Sequence, residues 1–237
     1  MEAMIFAAGL GTRLRPLTDN KPKALVEVNG ISLLEHNITK LINFGCKHIV
    51  INVHHFANQM IEHIDTKRYN ADIYISDETA ELLDTGGGLV NAKHLFSLKE
   101  DILIHNVDII SKINFSDLQN QHHINNSLAT LALSKRHTSR YLLFDKDKNL
   151  CGWENNQSGE KIIIKPISEF HPFGFSGIQI IRPELLSLID KQGSFPIIPE
   201  YLELAKNYPI KSYIHPKEIW VDVGKIESIP LAEHLLR

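Results

Sequence analysis

The hydrophobic pattern of the first hundred residues switches between two periods. Ala3 to Ala8 is apolar and free of charge, which reads as a strand buried on both faces of a sheet. Leu25 to Val28 is a second short apolar run. From Leu33 to Phe44 the apolar residues at 34, 38, 41, 42 and 44 form one face of a helix, with Gly45 placed to cap its end. His48 to Val53 is rich in β-branched residues and predicts a strand. Phe56 to Ile64 predicts a helix with Met60, Ile61 and Ile64 inward, and Asp72 to Ser76 a further strand. Strand, helix, strand, helix, strand is the order of a parallel sheet with right-handed crossovers. Asp101 to Asn106 extends the series, and a helix begins near Phe115 with Ser116 as an N-cap candidate.

The spacing changes at Leu128. Short strands are predicted at Ala129 to Leu133, Arg140 to Phe144, Leu150 to Trp153 and Lys161 to Ile164. The polar turns 145–149 and 155–159 between them are hairpin-like. Phe173 to Ile181 predicts a buried strand, followed by helices at Pro183 to Ile189 and Pro199 to Ala205. Ile210 to Ile214 is a strand, Glu218 to Val221 leads into Asp222 and Gly224, and Ile226 to Leu236 closes as a helix. The pattern as a whole predicts an α/β fold: a mixed, mostly parallel sheet flanked by helices. It forms one domain over residues 1–237, with a β-rich insertion at 128–170.

Two stretches carry chemistry. The first strand runs into Gly9-Leu10-Gly11-Thr12, followed by Arg13, Arg15 and, behind Lys21-Pro22, Lys23. Glycines at i and i+2 let backbone turn sharply and approach a ligand, and successive amides in such a turn favour an anion. Strand, glycine turn, hydroxyl and cations make the order of a polyphosphate site. It is neither a dinucleotide fingerprint, since position 14 is Leu14, nor a Walker loop, since no Gly-Lys-Ser/Thr follows. The second stretch, Leu83-Asp84-Thr85-Gly86-Gly87-Gly88-Leu89, predicts a flat loop entering a helix. The three glycines are either a flexible turn or bare backbone against which a planar base or ribose lies. Asp108 falls just past a predicted strand, where open α/β sheets bind ligands. A turn or cap role is the plainer alternative for a lone aspartate.

With Val107-Asp108, Phe175-Ser176-Gly177-Ile178 and Trp220-Val221-Asp222-Val223-Gly224 added, these stretches resemble, in the same order, the sugar-1-phosphate nucleotidylyltransferases. The resemblance covers nearly the whole chain. The chain looks most like the short bacterial members that join UTP to N-acetylmuramate 1-phosphate. It implies the nucleotide-diphospho-sugar transferase fold, which is Rossmann-like, and Mg²⁺ held by Asp108 and Asp222. Arg13 would hold the departing phosphates, and Lys23 would bridge the α-phosphate and the attacking phosphate. The amides of Gly9, Leu10, Gly11 and Thr12 would line the triphosphate, while Ala8, Gly87 and Gly88 would touch base and ribose. Asn106, Lys165 and Asp222 would face the acceptor. Arg15 either joins the phosphate contacts or is a solvated loop charge. Departures from the pattern are Ala24 and Ser32, which affect turns, and Val107, Ile164 and the run Tyr141 to Phe144, which lie on the acceptor side.

The chemistry suits these groups. A phosphate nucleophile is already ionised, so the catalyst must position two anions and neutralise charge more than supply a base. Magnesium takes hard oxygen ligands and fills its shell with water and phosphate oxygens. Mannose or heptose 1-phosphate with GTP, or phosphocholine with CTP, are alternatives within the same chemistry. A catalytically silent nucleotide-sugar sensor and a dinucleotide-dependent oxidoreductase lie outside it. Retention of Arg13, Lys23, Asp108 and Asp222 favours an enzyme over the sensor.

Composition narrows the partners. The chain has 237 residues, 43% of them hydrophobic, and a net charge of −3, so no general attraction to nucleic acid or membrane follows. Cys46 and Cys151 stand alone, without disulfide or zinc spacing. His54-His55 and His122-His123 are adjacent pairs whose side chains diverge, a poor metal pattern, although one of the first pair is placed to touch the acceptor. Trp153 and Trp220 read as core. With no signal segment read at the start, the cytoplasm is expected, as monomer or homodimer.

Overall fold

The computed structural model describes residues 1–237. Fourteen strands and seven α-helices follow one another. The first half holds β1 (Glu2–Phe6), the small hairpin β2 (Glu27–Val28) and β3 (Ile31–Ser32), α1 (Leu33–Phe44), β4 (His48–Val53), α2 (Ala57–Asp65), β5 (Asp72–Asp77), α3 (Asp84–Asn91), β6 (Ile102–Asn106), β7 (Ile109–Ser111) and α4 (Phe115–Ile124). The second half holds β8 (Ala129–Ser134), β9 (Arg140–Phe144), β10 (Leu150–Asn155), β11 (Glu160–Ile163), β12 (His171–Ile181), α5 (Leu185–Leu188), α6 (Ile197–Leu204), β13 (Ile210–Ile214), β14 (Trp220–Asp222) and α7 (Ile229–Leu236).

One ten-stranded sheet runs β11-β10-β9-β12-β6-β1-β4-β5, with β8 and β13 branching from β12. β1 lies between β4 and β6, parallel to both, whereas β12 runs antiparallel to β6. Every residue of β1 except Phe6 is buried. Ala3 and Ile5 join a core under α1, α2 and α4, and Met4 joins a second core under α3 and α6. That two-sided burial is what an uninterrupted apolar strand requires.

The cap expected at Gly45 forms. Gly45 ends α1 at φ 107°, a left-handed conformation costly for other residues, and Ser32 caps its start by accepting from Glu35 N. The structure also makes corrections. Asn114, not Ser116, caps α4; its side-chain oxygen accepts from the amides of Ser116 and Asp117. The helix expected over Pro183 to Ile189 shrinks to the single turn of α5. Gly86, Gly87 and Gly88 lie inside α3 and are buried, so the expected loop is helix. β7, three residues long, is a strand the periodicity did not indicate.

Candidate active site

The carboxyl ends of β4, β1 and β6 place Asn52, Phe6 and Asn106 in register, side by side. Beyond them opens a cavity of about 330 Å³ whose walls include Ala8, Gly9, Lys23, Asn52, Asn106 and Asp108. The glycine turn forms its rim. Gly11 sits at φ 66°, and a Cβ there would lie 2.9 Å from Lys23 Cβ, so glycine is required by both conformation and space. Thr18 Oγ1 donates to Gly11 O at 2.8 Å and fixes the turn. Nothing in the protein comes within 4 Å of a Cβ on Gly9. The amides of Gly9, Leu10, Gly11 and Thr12 donate to no protein acceptor, which leaves a rim of backbone donors suited to an anion.

The two aspartates meet through β7 and β14. These strands pair antiparallel, with Asp222 opposite Ile109, and Val223 N donates to Asp108 O at 2.8 Å. Asp108 forms an ion pair with Lys23, and both side chains are mostly buried. Asp222 Oδ1 is buried without a hydrogen-bond partner. Burial, followed by the charge of Asp108, raises the Asp222 pKa above the ordinary carboxylate value, while Lys23 and Arg13 oppose the rise. An unpartnered buried oxygen beside a second carboxylate is a donor set that fits a divalent cation, which would relieve the repulsion between them. No group of three or more His, Cys, Asp or Glu side chains is arranged to hold a metal ion by itself, so substrate oxygens and water would complete such a shell.

Arg13 reaches the same place. A Cβ on Gly224 would lie 2.7 Å from Arg13 Nη2 and 2.6 Å from Asp222 Oδ1, so only glycine leaves room for both groups. Arg15 points into solvent, its side chain 70% exposed, and pairs with Asp19. Asn106 packs against Gly177, which is at φ 71° and has space for no Cβ.

Some expected site residues lie elsewhere. Gly87 and Gly88 do not line the cavity. A Cβ on Gly87 would lie 2.1 Å from Gly193 O, and one on Gly88 would lie 2.6 Å from Glu78 Oε1. Their bare backbone is taken up by protein packing, and the neighbouring Asp84 and Thr85 face the cavity instead. Lys165 sits in the hairpin side of the sheet, its amide near Cys151 O, and lines no part of this cavity. Trp220 is half-buried, packs against the edge of the core and donates to Ser176 O at 2.8 Å. His54 bonds its Nδ1 to Glu78 O and does not line the cavity.

Two residues went unrecognised in the sequence. Asn52 Oδ1 accepts from Ala7 N at 2.6 Å and Ala8 N at 3.3 Å, and its amide donates to Glu78 Oε1 at 2.7 Å. Glu78 Oε2 accepts from Leu83 N. This buried relay ties the start of the glycine turn to the entry of α3. Burial raises the Glu78 pKa, and the donors from Asn52 and Leu83 oppose that rise. A polar residue at the end of an apolar parallel strand, as Asn52 is, was the one available signal.

The family model described as nucleotidyl transferase matches residues 2–236. An N-acetylmuramate alpha-1-phosphate uridylyltransferase of Caulobacter vibrioides is 29% identical over 98% of this chain and 95% of its own. A mannose-1-phosphate guanyltransferase of Pichia angusta is 31% identical over 95% of this chain and 61% of its own. A crystal structure of a putative glucose-1-phosphate thymidylyltransferase from Bacillus anthracis superposes with a TM-score of 0.79 at 16% identity, covering 100% of this chain and 95% of that one. The chain belongs to the nucleotidyl transferase family, as a sugar-1-phosphate nucleotidyltransferase.

Proposed function

We propose that the protein joins UTP to N-acetylmuramate 1-phosphate, with Mg²⁺ held by Asp108 and Asp222, and releases pyrophosphate. The observation that carries the chemistry is the meeting of those two aspartates with Lys23 and Arg13 at the carboxyl end of the sheet. The choice of substrates is supported by the near full-length similarity to muramate uridylyltransferases. One nucleotidyltransferase domain spans the chain, and the β9–β11 hairpins form its acceptor side.

In this reading the nucleoside occupies the cavity between Asn52, Asp84 and Asn106, and the triphosphate follows the free amides of the glycine turn. Lys23 holds the α-phosphate and the incoming sugar phosphate together. One oxygen of that phosphate attacks the α-phosphorus in line. The new P–O bond forms as the bond to the β-phosphate oxygen breaks, and pyrophosphate departs with the electron pair. Arg13 stabilises the charge that collects there. When bound, the magnesium ion neutralises phosphate charge and aligns the reacting oxygens.

The second reading is mannose 1-phosphate with GTP, favoured by the 31% identity to a guanyltransferase. Pyrophosphate release from the four ribonucleoside triphosphates, each crossed with several sugar 1-phosphates, decides between them. A preference for UTP and N-acetylmuramate 1-phosphate is expected. A preference for GTP and mannose 1-phosphate would transfer the assignment, and no turnover with any pair would leave a nucleotide-sugar sensor.

A further inference from the structure

Beyond Asp222, away from the nucleoside cavity, the surface holds a second cleft of about 370 Å³. Its walls include Arg13, Arg136, His137, Trp220, Asp222 and Lys225. Two of its cations, Arg136 and Lys225, have no part in the reaction as drawn above. Asp222 is the one acid among these groups.

Arg136 is held with care. Its guanidinium lies over the Trp220 ring, 4.8 Å from the centroid, and its Nη2 donates to Phe175 O at 2.8 Å. Its Nε is buried with no partner in the protein. A Cβ on Gly174 would lie 2.9 Å from Arg136 Nε, so glycine clears the strand for this side chain. The ring beneath it is fixed in turn. Trp220 Nε1 donates to Ser176 O, and Ser176 Oγ bonds to the buried His215. A stacked, pre-oriented guanidinium with unused donors suits a planar oxyanion, above all a carboxylate.

The acceptors of the relatives differ in this respect. A muramate is a carboxylic acid as well as a sugar, whereas mannose is neutral. We propose that the cleft formed by Arg136, His137 and Lys225 beside Asp222 binds a carboxylate of the acceptor, and so selects sugar 1-phosphates that carry a second anionic group. This inference rests on the nucleotidyl transfer proposed above. The 1-phosphate engages Lys23, and the acid reaches past Asp222 to Arg136. The departing pyrophosphate is the other oxyanion that could occupy the cleft, so the test must separate the two.

The experiment compares kcat/KM for N-acetylmuramate 1-phosphate and for N-acetylglucosamine 1-phosphate, the same sugar without the lactyl acid. It uses the wild type, Arg136→Gln and Lys225→Gln, and adds KM for pyrophosphate in the reverse reaction. Lys225 is exposed, so its replacement leaves the fold intact if Arg136→Gln does not. The wild type should prefer the acid. Each variant should lose roughly tenfold or more with the acid, the scale of one charge-assisted hydrogen bond, while staying within about threefold with the neutral sugar. Equal losses on both acceptors, or a rise in KM confined to pyrophosphate, would overturn the assignment. A wild type that uses both acceptors equally removes the charge selection and leaves nucleotidyl transfer standing. Turnover with mannose 1-phosphate and GTP alone removes the charge selection and moves the substrate assignment, with nucleotidyl transfer still standing.

Discussion

Asp108 and Asp222 show how much the placement of one carboxylate oxygen can carry. Asp222 Oδ1 is buried without a partner and Asp108 holds Lys23, so under the shared-metal proposal loss of either charge acts on catalysis. Asp108→Asn and Asp222→Asn should each abolish pyrophosphate release while leaving the circular dichroism spectrum unchanged. A near-normal rate at saturating Mg²⁺ in either variant would remove the shared-metal reading. The two arginines of the glycine turn give a paired test. Arg13 shares the space above Gly224 with Asp222, whereas Arg15 is solvated. Arg13→Ala should lower kcat by roughly 10³-fold, the scale of charge-stabilising arginines in phosphoryl transfer. Arg15→Ala should change it little; equal effects would mean that the turn does not cradle phosphates. Arg13 was legible in the sequence because it follows a glycine turn directly. The difference from Arg15 was not, because adjacent loop residues share composition and differ only in direction.

At the scale of elements, α3 is the instructive case. Three consecutive glycines are poor helix formers, yet they occupy the middle of a helix. Gly88 meets Glu78 of the segment after β5, while Gly86 meets Phe195 and Gly87 meets Gly193 O, so the segment before α6 lies almost on the helix backbone. Tertiary contact overrides local propensity here, because only a helix without side chains lets that segment approach. Gly87→Val should therefore act first on stability. Overpacking against backbone should cost about 3 kcal/mol or more, a fall in Tm of roughly 6 °C or more, read by thermal unfolding. An unchanged Tm with a raised KM for the nucleotide alone would restore the glycine as a base-contacting surface. A second element-scale feature is the grip of α1 on β7. Asn37 donates to Val107 O and Lys40 to Ser111 O and Oγ, bracketing the strand that begins next to Asp108.

Lys40 connects that grip to the stability of the whole molecule. Burial lowers its pKa from the ordinary 10.5 to about 7. Between those values the unfolded chain binds the proton more tightly than the folded one. Stability from this group is therefore present above pH 10.5 and is lost as pH falls toward 7. The wild type should gain resistance to urea between pH 7 and about pH 9.5. Lys40→Met should show a smaller gain, measured as the shift of the unfolding midpoint. Identical shifts in the two proteins would mean that Lys40 is hydrated in the folded state. At this scale no helix is long and apolar enough to cross a membrane.

The amino-acid sequence by itself determined the strands of the parallel core, the C-cap of α1 and the glycine turn after β1, because each depends on residues within a few positions of one another. β1 had to be buried on both faces, since no polar residue between Ala3 and Ala8 offers it a solvent face. The tertiary structure alone decided which distant groups meet. The pairing of β7 with β14 sets Asp108 beside Asp222, and two three-residue strands are too short for any period to announce. It decided that Asn52 and Glu78 tie the glycine turn to α3, because a buried polar side chain declares its role only when its partners are in place. It also decided that Gly87 and Gly88 serve packing and that Arg136, an unremarked cation on the loop after β8, stands on Trp220 beside Asp222. Local order follows from periodicity and capping, whereas the site follows from contacts between segments that the chain's own pattern does not connect.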